Sequence, residues 1–277
     1  KLIAMYRNTF LSVMFLACCF NGSLCAQSDA QIYERTCDAK TYPFSDPSPV
    51  ATPNNSYYPY FRFDGFSMQA QEKQRKMVVL ENDYVKLTVT PEIGGKIWGA
   101  IDKVNNKEFV YTNGVVKFRD VAMRGPWTSG GIEFNFGIIG HAPTCSTPID
   151  YLTKKNVDGS VSCHIFSYEW ITRTVWNVEI NLPKDKAYFT THTTWFNQSS
   201  IDQPYYQWMN AGYATKTGTR FYYPGTYSIG HSGDLHPYPI DEEGRDVSWY
   251  DNNNFGASKS LHIIGDYNDY FGIYWHN

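Results

Sequence analysis

Apolar residues alternate with polar ones in run after run of this chain, and that period of two decides what it can build. In YVKLTVTP, Val85, Leu87 and Val89 fall on one face of an extended strand, while Lys86 and Thr88 fall on the other. MVVLEN, KIWGAID and EFVYTN flank this run, and turn residues at Asn82-Asp83, Gly94-Gly95 and Asn105-Asn106 separate them. The alternation returns in SVSCHIFSYEW, TRTVWNVEINL and AYFTTHTTWFN, with hairpin turns at Asp158-Gly159 and Pro183-Lys184-Asp185. No stretch offers a long amphipathic helix. Many strands joined by short polar turns must stack sheet on sheet to hide their apolar faces, so the expected fold is all-β, an antiparallel β-supersandwich. No self-similar period is visible, which argues against a propeller or a solenoid.

One stretch breaks the rhythm. RGPWTSGGIEFNFGIIGH, from Arg124 to His141, places Gly125, Gly130, Gly131, Gly137 and Gly140 where strand and helix interiors avoid glycine, which implies a shaped loop. Within it Ile132, Phe134 and Phe136 alternate with Glu133 and Asn135, so both polar side chains belong on one face of a short strand. Arg124, Trp127 and His141 at the flanks favour a pocket over a plain Gly-rich turn. Glu133 is the best single carboxylate of the chain, because its glycine neighbours let a ligand approach. A dry setting beside Phe134 and Phe136 would raise its pKa and suit it to proton transfer. The alternative reading is a surface or salt-bridged Glu133, paired with Arg124, and both stand at this point.

A second constellation, GHSGDLHPYPIDEEGRD, gathers His231, His236, Asp241 and Glu242 as candidate acids and bases, with a solvated polar loop as the alternative. His231 and His236 lack the helical spacing of a zinc pair, and neither a metal nor a cofactor is expected. In YYQWMNAGY, Trp208 and Asn210 share a face by the same period of two, a flat ring beside a side chain that both donates and accepts hydrogen bonds. The chain has no nucleophile elbow, phosphate-binding loop or dinucleotide fingerprint, so acyl transfer, nucleotide hydrolysis and hydride chemistry have no support.

Formal net charge is -3, with a pI of about 6.2, so there is no basic field to attract nucleic acid. Aromatic residues make up 17% of the chain, which suits sugar rings and β cores equally. Met5 to Ala26 carries Arg7, an apolar run from Phe10 to Phe20, and small residues ahead of Gln27, the pattern of a secretory signal. That run is shorter than the roughly 20 apolar residues of a membrane span, and no later stretch approaches that length. The expected organisation is a signal peptide at 1–26, a leader with little regular structure at 27–76, and a β-sandwich domain at 77–277. The protein is read as exported, to the periplasm or beyond, with lipid anchoring at Cys18 as the lesser alternative. Because the sequence opens on Lys1 and stops in a strand-like run at Asn277, it is read as the N-terminal part of a longer protein. Cys37, Cys145 and Cys163 follow the signal and permit at most one disulfide.

The run from Glu81 to Asn113, ENDYVKLTVTPEIGGKIWGAIDKVNNKEFVYTN, resembles the opening of galactose mutarotase-like domains. More specifically, Phe118 to Thr144, YYQWMNAGY, FYYPGTYSIGHSGDLHPYPIDEEGRD and SWYDNNNFGASKS are similar to the bacterial DUF5107 family, over roughly residue 77 to the end. The resemblance implies a galactose mutarotase-like, carbohydrate-active supersandwich, a sugar or glycan ligand, and tetratricopeptide repeats downstream in some members. Mutarotases use an imidazole acid in an Asn-His-x-Tyr-Phe-Asn type motif and a late Glu base. Aligned on Asn210, Tyr206 takes the imidazole position, or Gln207 if the match slips by one, and the Glu-bearing strand falls beyond Asn277. Two readings follow. The first is a sugar-cleaving or sugar-isomerising enzyme, with catalytic groups from Glu133, His231, Asp241 and Glu242 and a substrate held by Arg124, Trp127, Asn135, His141, Tyr206, Trp208, Asn210 and His236. The second is a non-catalytic glycan-binding domain with the same cleft.

Overall fold

A computed structural model describes residues 28–45, 64–121, 125–137, 140–141, 143–169, 172–204, 206–223, 225–229, 233–253, 262–263 and 272–276. Its strands begin with β1 (Gln31–Tyr42), β2 (Gln71–Glu81), β3 (Val85–Thr90), β4 (Lys96–Asp102), β5 (Lys107–Val110), β6 (Val116–Lys117) and β7 (Arg119–Asp120). Next come β8 (Pro126–Trp127), β9 (Ile132–Asn135), β10 (Asp150–Lys155), β11 (Val161–Glu169), β12 (Thr174–Leu182) and β13 (Thr190–Asn197). The last are β14 (Trp208–Ala211), β15 (Thr219–Tyr222), β16 (Tyr227–Ile229), β17 (Leu235–Pro237), β18 (His262–Ile263) and β19 (Gly272–Trp275). Among the described residues, helix is confined to two short 3-10 turns, Pro143–Cys145 and Tyr250–Asn252, and no helix is long and apolar enough to cross a membrane.

Eight strands form the larger sheet, in the order β14-β9-β4-β3-β2-β1-β6 with β5 also paired to β4, and β10-β11-β12-β13 form a second. Their pairings are antiparallel except for the short parallel contact of β1 with β6. The fold is thus the expected all-β sandwich. Its core forms where the alternating faces meet: Val78, Leu80, Val85, Leu87, Val89, Ile97, Ile132, Phe134 and Phe136 from the larger sheet. Facing them are Val161, Cys163, Ile165, Trp176, Val178, Ile180 and Leu182. Phe136 stacks on Trp176 with ring centroids 4.4 Å apart. Each such side chain contributes about 1.5–3 kcal/mol on burial, which fixes which face of every strand turns inward.

The predicted turns also fasten the sheets to each other. Asn82, between β2 and β3, donates from Nδ2 to the carbonyls of Pro183 and Lys186, at 2.7 and 2.8 Å. Its Oδ1 accepts the backbone N–H groups of Tyr84 and Val85 at 2.8 and 2.7 Å. One side chain therefore joins the β2–β3 turn to the β12–β13 connection.

The expected leader at 27–76 needs correction. Gln31–Tyr42 is a long strand that pairs with β2 from Gln31↔Glu81 to Thr41↔Gln71. Its side chains are mostly exposed, so backbone hydrogen bonding rather than an apolar face holds it in place. The signal region at 1–26 lies outside the described residues. Cys37, Cys145 and Cys163 are free thiols.

Candidate functional site

Because Ile132, Phe134 and Phe136 enter the core, Glu133 and Asn135 project from the opposite face of the larger sheet. β14 pairs with β9 so that Asn210 lies opposite Glu133 and Trp208 opposite Asn135, placing all four on that face. On the other side of β9, Ile97 pairs with Ile132, and Lys96 consequently stands on the same face as Glu133. Gly131 makes this approach possible. It adopts φ 65°, and a Cβ there would collide with the Ile97 carbonyl oxygen.

Glu133, 2% exposed, is the hub. Its Oε1 accepts hydrogen bonds from His141 Nδ1 at 2.9 Å and Asn135 Nδ2 at 2.7 Å, and its Oε2 lies 3.8 Å from Lys96 Nζ. Lys96, 1% exposed, also donates from Nζ to the Thr128 carbonyl and, at 3.1 Å, to Thr128 Oγ1. The ammonium sits 5.9 Å from the centroid of the Trp127 ring. His141 adopts φ 51°, a left-handed conformation costing roughly 1–2 kcal/mol. Its ring meets Trp127 and Trp208 edge to face, with centroids 5.7 and 4.9 Å apart. Gly140 lets the backbone lie against Trp208, since a Cβ there would come within 2.8 Å of the indole. Tyr206 flanks Trp208 at 6.1 Å and hydrogen-bonds its N–H to the Gly137 carbonyl at 2.6 Å.

These contacts overturn one expectation. Burial pushes the Glu133 carboxyl up, but His141, Lys96 and Asn135 together outweigh it and hold the group below its ordinary value. Glu133 is therefore a held carboxylate rather than a proton donor. Burial draws the Lys96 ammonium down, opposed by Glu133, and burial also pushes the neighbouring Cys145 thiol up. Nδ1 of His141 faces the carboxylate, and among the described residues its Nε2 has no hydrogen-bond partner. Three buried atoms here, Trp127 Nε1, Trp208 Nε1 and Asn135 Oδ1, also lack a hydrogen-bond partner among the described residues. Two of these atoms are donors and one is an acceptor, so polar groups without partners adjoin the Glu133–His141 pair.

Seven of the expected site residues thus converge: Trp127, Glu133, Asn135, His141, Tyr206, Trp208 and Asn210. Asp241 and Glu242 take their partners locally. Asp241 accepts from Arg245 Nε at 2.8 Å and from the backbone N–H groups of Glu243 and Arg245 at 3.0 and 2.8 Å, closing a turn. Glu242 pairs with His236 Nδ1 at 3.0 Å, with both side chains exposed. Arg124 and His231 lie outside the described residues. Lys96 and Thr128 were not signalled by the sequence, where a lysine after a Gly-Gly turn reads as a solvated strand end. Among the described residues, no three His, Cys, Asp or Glu side chains are grouped to hold a metal ion.

Fold and site together define a class: an all-β sandwich carrying a buried carboxylate and ammonium beside a part-buried imidazole, flanked by tryptophans, on the face of its larger sheet turned away from the core. The chain belongs to the DUF5107 family, a domain of unknown function, whose model matches residues 52–277. It is also similar to the crystal structure of a TPR-domain containing protein from Parabacteroides distasonis ATCC 8503, with a TM-score of 0.70 and 24% identity. That likeness covers 79% of this chain and 38% of the other, so the chain spans well under half of that protein's length.

Proposed function

We propose that this protein binds a sugar over the Glu133–His141 face and isomerises or cleaves it by proton transfer at His141 Nε2. The observation that carries the reading is the set of unpartnered buried atoms, Trp127 Nε1, Trp208 Nε1 and Asn135 Oδ1, gathered around that imidazole. Sugars supply hydroxyl groups that both donate and accept, together with apolar ring faces that pack on indoles. In this reading Glu133 orients the imidazole and stabilises it when protonated, Trp208 and Asn210 hold the ring, and Tyr206 lines the rim. The resemblance to galactose mutarotase-like domains supports the ligand class. Glycoside hydrolysis ordinarily uses two carboxyl groups flanking the bond, whereas Asp241 and Glu242 are held within their own turn. Isomerisation is therefore the favoured chemistry. Export is inferred from the Met5–Ala26 pattern, and the TPR-domain neighbour supports tetratricopeptide repeats elsewhere in the full-length protein.

A non-catalytic glycan-binding domain is the second reading, favoured by the depressed Glu133 carboxyl, which lacks a proton to give at neutral pH. Calorimetric titration of the full-length protein with a panel of aldoses, followed by NMR exchange spectroscopy of anomeric and epimeric protons, separates the two. The enzyme reading predicts binding plus exchange, with His141→Ala slowing exchange by about 10²- to 10⁴-fold. Binding without exchange establishes the second reading, and no binding by any sugar of the panel refutes both.

A further inference from the structure

Lys96 takes no part in that chemistry, yet its placement is costly. An ammonium taken out of water must be repaid by close partners, and here its three donors face Thr128 O, Thr128 Oγ1 and Glu133 Oε2. The chain fixes its root as firmly as its tip. The Lys96 carbonyl accepts from Thr90 Oγ1 at 3.0 Å, its N–H donates to the Ile93 carbonyl at 3.2 Å, and Gly131 lies against its stem. A lysine serving only solubility would reach outward, as long cationic side chains do when water is within range.

We propose that Lys96 is a positioning residue: it holds Glu133 ionised and engages Oε2, so that Oε1 stays directed to His141 Nδ1 and Asn135 and His141 keeps Nε2 as its proton-accepting nitrogen. Among the described residues, the other titratable groups facing Glu133 are His141, whose hydrogen bond lowers the carboxyl alongside Lys96, and Cys145. Cys145, from the Pro143–Cys145 turn, is a buried thiol kept protonated, while β14 presents only the uncharged Trp208 and Asn210. Arg124 precedes β8 and lies outside the described residues. The inference rests on the reading of His141 as the proton-handling group, but it is tested on Glu133 itself.

The experiment is carboxyl-carbon NMR of the ligand-free full-length protein labelled at glutamate, with Glu133→Gln identifying the resonance. Wild-type Glu133 is expected to titrate below its ordinary value of 4.5. In Lys96→Met burial is no longer offset by the ammonium, so the carboxyl moves up by about one to three pH units, and Lys96→Arg returns it downward. Thr128→Val, which loosens the ammonium without removing it, gives a smaller upward movement. Nitrogen shifts of His141 report the Nδ1–H tautomer in wild type and its loss in Lys96→Met. A wild-type carboxyl titrating at or above 4.5 overturns the proposal even where Lys96→Met fails to fold. So does a Lys96→Met protein whose Glu133 titrates as wild type. If the carboxyl moves as stated but no sugar binds, the sugar reading falls and this one stands. If sugar binds and the carboxyl does not move, the reverse holds.

Discussion

Glu133→Gln is the sharpest probe of the buried cluster because it removes the charge and keeps the shape. In the folded protein it leaves the Lys96 ammonium, 1% exposed, with the two oxygens of Thr128 and the Trp127 ring as its partners among the described residues. Breaking a buried pair from one side costs about 3–5 kcal/mol, and the surviving Thr128 contacts place this case near the lower end. For a chain of this size that corresponds to a fall in melting temperature of roughly 6–12 °C. Lys96→Met combined with Glu133→Gln removes both charges and is expected to recover much of the loss, giving a coupling of about 1–3 kcal/mol in a double-mutant cycle. The pH dependence has a definite sign. Without Glu133 the main opposition to burial at Lys96 is gone and its folded-state value lies still further below 10.5, so the unfolded chain binds more protons and stability rises with pH. The deficit of Glu133→Gln should shrink as urea melts are repeated from neutral pH toward 10.5. A Glu133→Gln protein within about 0.5 kcal/mol of wild type, or a deficit indifferent to pH, refutes the argument.

Two further outcomes test the same architecture. The folded Glu133 carboxyl lies below its unfolded value of 4.5, so its stabilisation is complete above that pH and is lost as pH falls through the lower folded value, a loss that acid titration of melting temperature should find absent in Glu133→Gln. Asn82→Ala removes four hydrogen bonds, two joining turns of the two sheets and two closing its own turn, and should cost about 2–4 kcal/mol by urea denaturation, whereas a change below about 0.5 kcal/mol would show those bonds to be replaced by water.

What the sequence discloses depends on whether a signal is local. β3 and β12 are legible because strict alternation of buried and partly exposed residues is written into their own side chains. β1 is not, because QIYERTCDAKTY buries little and owes its conformation to the ladder with β2. The same division runs through the site. Glu133, Asn135, Trp208 and Asn210 can be assigned to faces by counting in twos along each strand. Lys96 escapes, because counting within a strand does not say which strand lies alongside it. A salt-bridged Glu133 is foreseeable, but its partners are Lys96 and His141, and these reverse the expected direction of its proton affinity. Asp241 and Glu242 mislead for the opposite reason. An acidic run beside Gly244 reads alike as a reaction centre or a turn, and in the structure Asp241 closes a turn with Arg245 while Glu242 pairs with His236.

Since β9 turns Ile132 and Phe134 to the core and Glu133 and Asn135 to the site, different kinds of mutation reach different properties. Substitutions at Asn135, Trp208 or Asn210 alter the polar face of β9 and β14 while the residues that fill the sandwich interior stay as they are. Insertion or deletion of a single residue within β9 exchanges the two sets, presenting phenylalanines to the outer face and a carboxylate to the interior. Length variation among relatives should accordingly be absent from this strand and gather in the connections on either side of it.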